Sequence, residues 1–115
     1  MSVSIWHNPR CSKSRQTLEL LREKGVEPEV RLYLKDAPDA AEIRAALTAL
    51  GLTDPRALMR TKEALYRELD LASETDPDRL IAAMAANPVL IERPVVFNGT
   101  RAAIGRPPED VLALL

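Results

Sequence analysis

The spacing of apolar and polar positions changes several times along the chain, and each change marks an element. Val3 to Trp6 reads as a short strand. It runs into His7-Asn8-Pro9-Arg10-Cys11-Ser12, where Pro9 disfavours helix at Asn8 and the small polar residues suit a loop that turns into a helix N-terminus. From Ser12 to Lys24, Ser14, Thr17, Leu18 and Leu21 share one helical face, and Gly25 is placed to cap the C-terminus. Glu29 to Leu34 alternates Val30, Leu32 and Leu34 against Glu29, Arg31 and Tyr33, the period of a half-buried strand.

The middle of the chain reads as helical. Asp39-Ala40-Ala41-Glu42 has the form of a capping box opening a helix that carries Ile43, Leu47 and Leu50 and stops at Gly51. Asp54-Pro55 starts a short helix holding Leu58 and Met59, Lys62 to Leu69 forms another, and Thr75-Asp76-Pro77 caps one running to Ala86. After Asn87-Pro88, the runs Val89 to Ile91 and Pro94 to Phe97 and then Thr100 to Ile104 have strand character, with Asn98-Gly99 as a tight hairpin turn. Pro107-Pro108-Glu109 opens a last helix ending in Leu112 to Leu115. A strand, helix, strand crossover makes its two strands parallel, while the closing hairpin is antiparallel. The expected architecture is α/β: a mixed four-stranded sheet with an inserted helical segment, the element order of a thioredoxin-like fold, in one domain over residues 1–115.

Composition narrows the class. With 46% hydrophobic and 29% charged residues, disordered and collagen-like chains drop out, and 115 residues suffice for one core. Aromatics are only 3%, so that core is built from aliphatic side chains. The net charge of -1 supplies no field to draw the chain onto nucleic acid or an anionic membrane, so any anion site must be local. One cysteine excludes an internal disulfide and a cysteine-based zinc site, and no metal is expected. Lone cysteines of this kind belong to reducing compartments, and with no run of the roughly 18 apolar residues a span needs, a cytoplasmic location is expected.

Cys11 is the residue to weigh for chemistry. It precedes a helix and is flanked by Arg10, Lys13 and Arg15; unpaired helix N–H groups and nearby cations both favour a thiolate. His7, the only histidine, lies four residues upstream, placed to orient the loop or to act on the thiolate through space. Ser14 can aim its hydroxyl back at the sulfur, and a cysteine at that position, which would have made a dithiol, is absent. Arginine supplies twelve of the sixteen basic residues. Arg60, Arg93 and Arg106 stand out because each sits at the end of an element, where binding residues of sheet proteins gather. A guanidinium fork matches a tetrahedral oxyanion, so arginines converging on a thiolate would form an anion trap.

The segment His7-Asn8-Pro9-Arg10-Cys11-Ser12-Lys13-Ser14-Arg15 resembles the active-site loop of the glutaredoxin-coupled arsenate reductases. Leu58-Met59-Arg60-Thr61-Lys62-Glu63, Ile91-Glu92-Arg93-Pro94-Val95-Val96 and Ile104-Gly105-Arg106-Pro107-Pro108-Glu109 follow in that family's order, and the short chain is most similar to its YfgD-type branch. The resemblance implies a thioredoxin-like arsenate reductase with Cys11 as nucleophile, His7 and Ser14 as its polar neighbours, Arg60, Arg93 and Arg106 as oxyanion ligands, and Pro94 as a cis-proline beside the cysteine. It also implies arsenate or a similar oxyanion as substrate, glutathione as co-substrate with no tightly bound cofactor, and a transient glutaredoxin partner. Two other readings share the scaffold. One is a general glutathione-linked thiol oxidoreductase; the other is a Spx-like transcription regulator, whose usual Cys-x-x-Cys is here Cys11-Ser12-Lys13-Ser14.

Overall fold

The computed structural model describes residues 2–115. Four strands, β1 (Val3–Trp6), β2 (Glu29–Arg31), β3 (Val95–Asn98) and β4 (Arg101–Ile104), form one mixed sheet in the order β2-β1-β3-β4. Helix α1 (Ser12–Glu23) connects β1 to β2, and β1 pairs with β2 in parallel, Ile5 opposite Val30. On its other side β1 pairs antiparallel with β3, Ile5 opposite Val96, and β3 pairs antiparallel with β4, Val96 opposite Ala103. This is the thioredoxin-like sheet that the element order implied. The helical segment expected in the middle contains α2 (Ala40–Leu50), α3 (Ala64–Glu68) and α4 (Pro77–Ala86), with 3-10 turns at Pro55–Leu58, Leu71–Ser73 and Pro88–Leu90.

The described residues divide into two compact units, residues 2–36 with 93–115 and residues 37–92. In the first, Val3 and Ile5 of β1, Leu18 and Leu21 of α1, Val96 of β3, and Val111 and Leu114 of the closing 3-10 segment Pro108–Leu114 make one aliphatic core. Helix α1 ends as its sequence indicates. Gly25 takes φ +80°, and the N–H groups of Gly25 and Val26 donate to the carbonyls of Arg22 and Leu21, which lets Val26 fold back onto the core. In the second unit Ile43, Ala46 and Leu47 of α2 and Leu80, Ile81 and Met84 of α4 are buried where those helices pack together. The capping box is complete: the Asp39 carboxylate accepts from the Glu42 N–H and the Glu42 carboxylate accepts from the Asp39 N–H.

Four local expectations differ from what the chain adopts. Strand β2 stops at Arg31, and over residues 30–34 the expected burial is inverted: Val30, Leu32 and Leu34 are exposed while Tyr33 is fully buried. A period-two pattern identifies two faces but not which one meets the core. Val89 forms no strand; Pro88–Leu90 is a 3-10 turn, and Ile91 makes a single bridge with Met59. The hairpin turn is shifted by one residue to Gly99-Thr100, because Asn98 still pairs with Arg101 and Gly99 takes φ +63°. The final helix is a 3-10 helix, Pro108–Leu114.

Candidate active site

The loop after β1 is held by its own backbone and by Asn8. The Asn8 carbonyl accepts from the Cys11 N–H at 3.0 Å, and its Oδ1 accepts from the Arg10 N–H at 3.0 Å. This Asx turn delivers Cys11 to the N-cap of α1 in extended conformation, φ −93° and ψ 123°. The Cys11 carbonyl then accepts from the Arg15 N–H and continues into the helix. Asn8 thus positions Cys11, and its signal in the sequence is the Asn-Pro pair between strand and helix.

At the sulfur, opposing influences are resolved in favour of the thiolate. Burial, the largest influence, works to raise the Cys11 pKa. The backbone N–H of Ser14, the hydrogen bond and positive charge of Arg93, and the backbone N–H of Lys13 together outweigh it, so the thiol titrates below its ordinary value. Arg106 adds a longer contact, Nη2 to Sγ at 3.6 Å, while its Nε donates to the Arg93 carbonyl at 2.8 Å. The two arginines are thus linked to each other and both reach the one sulfur.

His7 and Ser14 are joined to each other. The Ser14 hydroxyl is 2.6 Å from His7 Nδ1 and accepts the Asn8 N–H at 3.0 Å. Its reach toward the sulfur is made by the backbone N–H instead. Burial is the main cause of a His7 pKa below the usual imidazole value, and the charges of Arg22 and Arg15 add to it. The imidazole is therefore held neutral near pH 7 and braces the loop through Ser14, which is completely buried.

Pro94 follows a cis peptide bond at Arg93-Pro94, and Arg106-Pro107 is also cis. Gly105 sits beside Pro94. A Cβ on Gly105 would come within 2.5 Å of Thr17 Oγ1 and 2.8 Å of Pro94 Cγ. The Gly105 N–H donates to the Pro94 carbonyl. Only glycine lets the end of β4 pass this close to both α1 and the Pro94 segment, and the neighbouring Gly105-Arg106-Pro107 motif was its only sequence cue. Arg60 lies in the second unit, where its guanidinium forms ion pairs with Glu63 at 3.5 Å and Glu92 at 3.7 Å. Among the described residues, no group of three His, Cys, Asp or Glu side chains is placed to hold a metal ion, and no helix is long and apolar enough to cross a membrane.

Comparison with known proteins places this arrangement. Residues 6–114 match the family described as the ArsC family. The protein YfgD of Escherichia coli (strain K12) is 57% identical over 114 residues, covering 98% of this chain and 96% of its own. An arsenate reductase of Haemophilus influenzae is 47% identical over the whole of both chains. Among solved structures, an arsenate reductase from Vibrio cholerae superimposes with a TM-score of 0.98 at 52% identity, covering 100% of this chain and 98% of its own.

Proposed function

This chain belongs to the ArsC family, and from that premise we propose that it is an oxidoreductase that reduces arsenate to arsenite with glutathione and glutaredoxin. The observation that carries the reading is a buried, single cysteine whose thiol is shifted toward thiolate while the guanidinium groups of Arg93 and Arg106 reach its sulfur, Arg106 being bonded also to the Arg93 carbonyl. A thiolate is the nucleophile, and arginines positioned where oxyanion charge accumulates are what an arsenate ester-like adduct needs.

In the proposed sequence, Cys11 Sγ attacks arsenic, an arsenate oxygen leaves as water after protonation, and an S–As(V) bond forms. The thiolate of glutathione attacks Cys11 Sγ; the S–As bond breaks with its electron pair left on arsenic, which departs as arsenite, As(III). Cys11 is left as a mixed disulfide with glutathione. A glutaredoxin thiolate takes the glutathione and releases the Cys11 thiolate, so no second cysteine in the chain is required. Arg93 and Arg106 hold the oxyanion, His7 and Ser14 keep the loop in place, and the backbone N–H groups of Ser14 and Lys13 favour the thiolate. Arg60 enters as a third oxyanion ligand by family resemblance alone, and Arg60→Ala is expected to raise the KM for arsenate.

The test is arsenate-dependent NADPH consumption in a mixture of glutathione, glutathione reductase and glutaredoxin, with wild type beside Cys11→Ser. Turnover that vanishes in the variant, with its far-UV spectrum unchanged, is the expected outcome. Equal turnover in the variant would overturn the assignment of Cys11. Turnover of a glutathione mixed disulfide with none of arsenate would replace arsenate reduction by general thiol exchange.

A further inference from the structure

Three of the five large apolar side chains exposed among the described residues, Val30, Leu32 and Leu34, stand at alternate positions of one segment. Val30 belongs to β2, the edge strand of the sheet. Isolated exposed leucines need no explanation, whereas a stripe beside a reactive loop marks a surface that something covers. Leu32 and Leu34 line a cleft of about 340 Å³ together with the loop 7–10 that leads directly into Cys11. That volume lies in the range of small-molecule sites, roughly 300–1,000 Å³.

The charge of the cleft selects its ligand. Arg10 and Lys35 are both exposed and both contribute to the lining, and no carboxylate does. The nearby Asp36 is 3.4 Å from the Arg31 guanidinium, so its charge is already matched. The cleft therefore offers two cations over an apolar wall, on a chain whose net charge is only -1. A small peptide with a carboxylate at each end and aliphatic methylenes between them fits that pattern.

We propose that this cleft is the binding site for glutathione, with Arg10 and Lys35 taking its carboxylates and Leu32 and Leu34 packing against its methylenes. The inference rests on the functional reading above, in which a chain with one cysteine must receive its second thiol from outside. A cleft walled by the residues immediately before Cys11 brings that thiol in along the loop that carries the sulfur.

The first measurement uses S-methylglutathione, which cannot exchange disulfides, titrated into the isotopically labelled full chain and followed by amide NMR. Shifts concentrated in residues 8–10 and 32–35 are expected, with weaker binding in Lys35→Glu and in Leu34→Ser. In the coupled assay Lys35→Glu is expected to raise the KM for glutathione about fivefold, the size of one exposed charge contact, while the KM for arsenate stays as in wild type. Shifts confined to other residues, or an unchanged glutathione KM in both variants, would overturn the proposal. A raised KM for glutaredoxin with an unaltered one for glutathione would likewise overturn it, since the cleft would then dock the protein partner. If wild type fails to reduce arsenate with glutathione, the functional reading falls, and the S-methylglutathione titration still decides the cleft.

Discussion

The chemistry of Cys11 is set by atoms within a few residues of it and by two distant arginines, Arg93 and Arg106. Because Arg93 both hydrogen-bonds and charges the environment of the sulfur, Arg93→Ala is expected to move the midpoint of the alkylation rate upward in pH, toward the ordinary thiol value. A rate profile with iodoacetamide from acid to alkaline pH measures it, and an unmoved midpoint would show that Arg93 does not lower the thiol pKa. His7 makes a different prediction. Its folded pKa lies below its unfolded value of about 6.5, so the unfolded chain binds the proton first as pH falls. The neutral imidazole's contribution is complete above that value and is lost as pH drops from there through the lower folded pKa. Urea midpoints of wild type should fall over that window, and those of His7→Gln, which has no proton to gain, should fall less.

Elements carry their own signals to different degrees. Helix α2 is written locally, from the reciprocal Asp39 and Glu42 bonds to Gly51 with φ +71° at its end. Removing the N-cap with Asp39→Ala should cost about 1 kcal/mol, read from chemical denaturation. Strand β2 shows the limit of local reading, because its alternation was visible and its buried side was not. Gly105 shows another limit. A Cβ there meets Thr17 and Pro94, residues 88 and 11 positions away along the chain, so no local rule exposes the requirement. Gly105→Ala is expected to destabilise the fold and to raise the Cys11 thiol pKa, since Gly105 ties β4 to the segment that bears Arg93. A thermal melt together with the alkylation profile separates the two effects; a variant with wild-type values in both would show that the neighbours yield without consequence.

Across the first unit, stability concentrates where the sheet is paired on both sides. Strands β1 and β3 are the two inner strands, and Ile5 and Val96, opposite one another, are fully buried. Their amides should be among the slowest to exchange with deuterium, while those of the edge strand β2 exchange faster. Leu21, fully buried between α1 and the sheet, should cost about 2–5 kcal/mol when replaced by alanine, through lost burial and the cavity left behind.

The order of elements, most of their ends and the residue types available for chemistry are legible along the chain, because caps, turn residues and apolar periods act over a few positions. The cysteine at the start of α1 was legible for the same reason, and so was the supply of arginines. Tertiary structure alone decided which side of the 29–34 segment is buried, that the Ser14 hydroxyl serves His7 while its N–H serves the sulfur, and that Arg93 and Arg106 reach Cys11. Those facts depend on contacts between residues up to 95 positions apart, and spacing along a chain holds no record of which distant groups will meet.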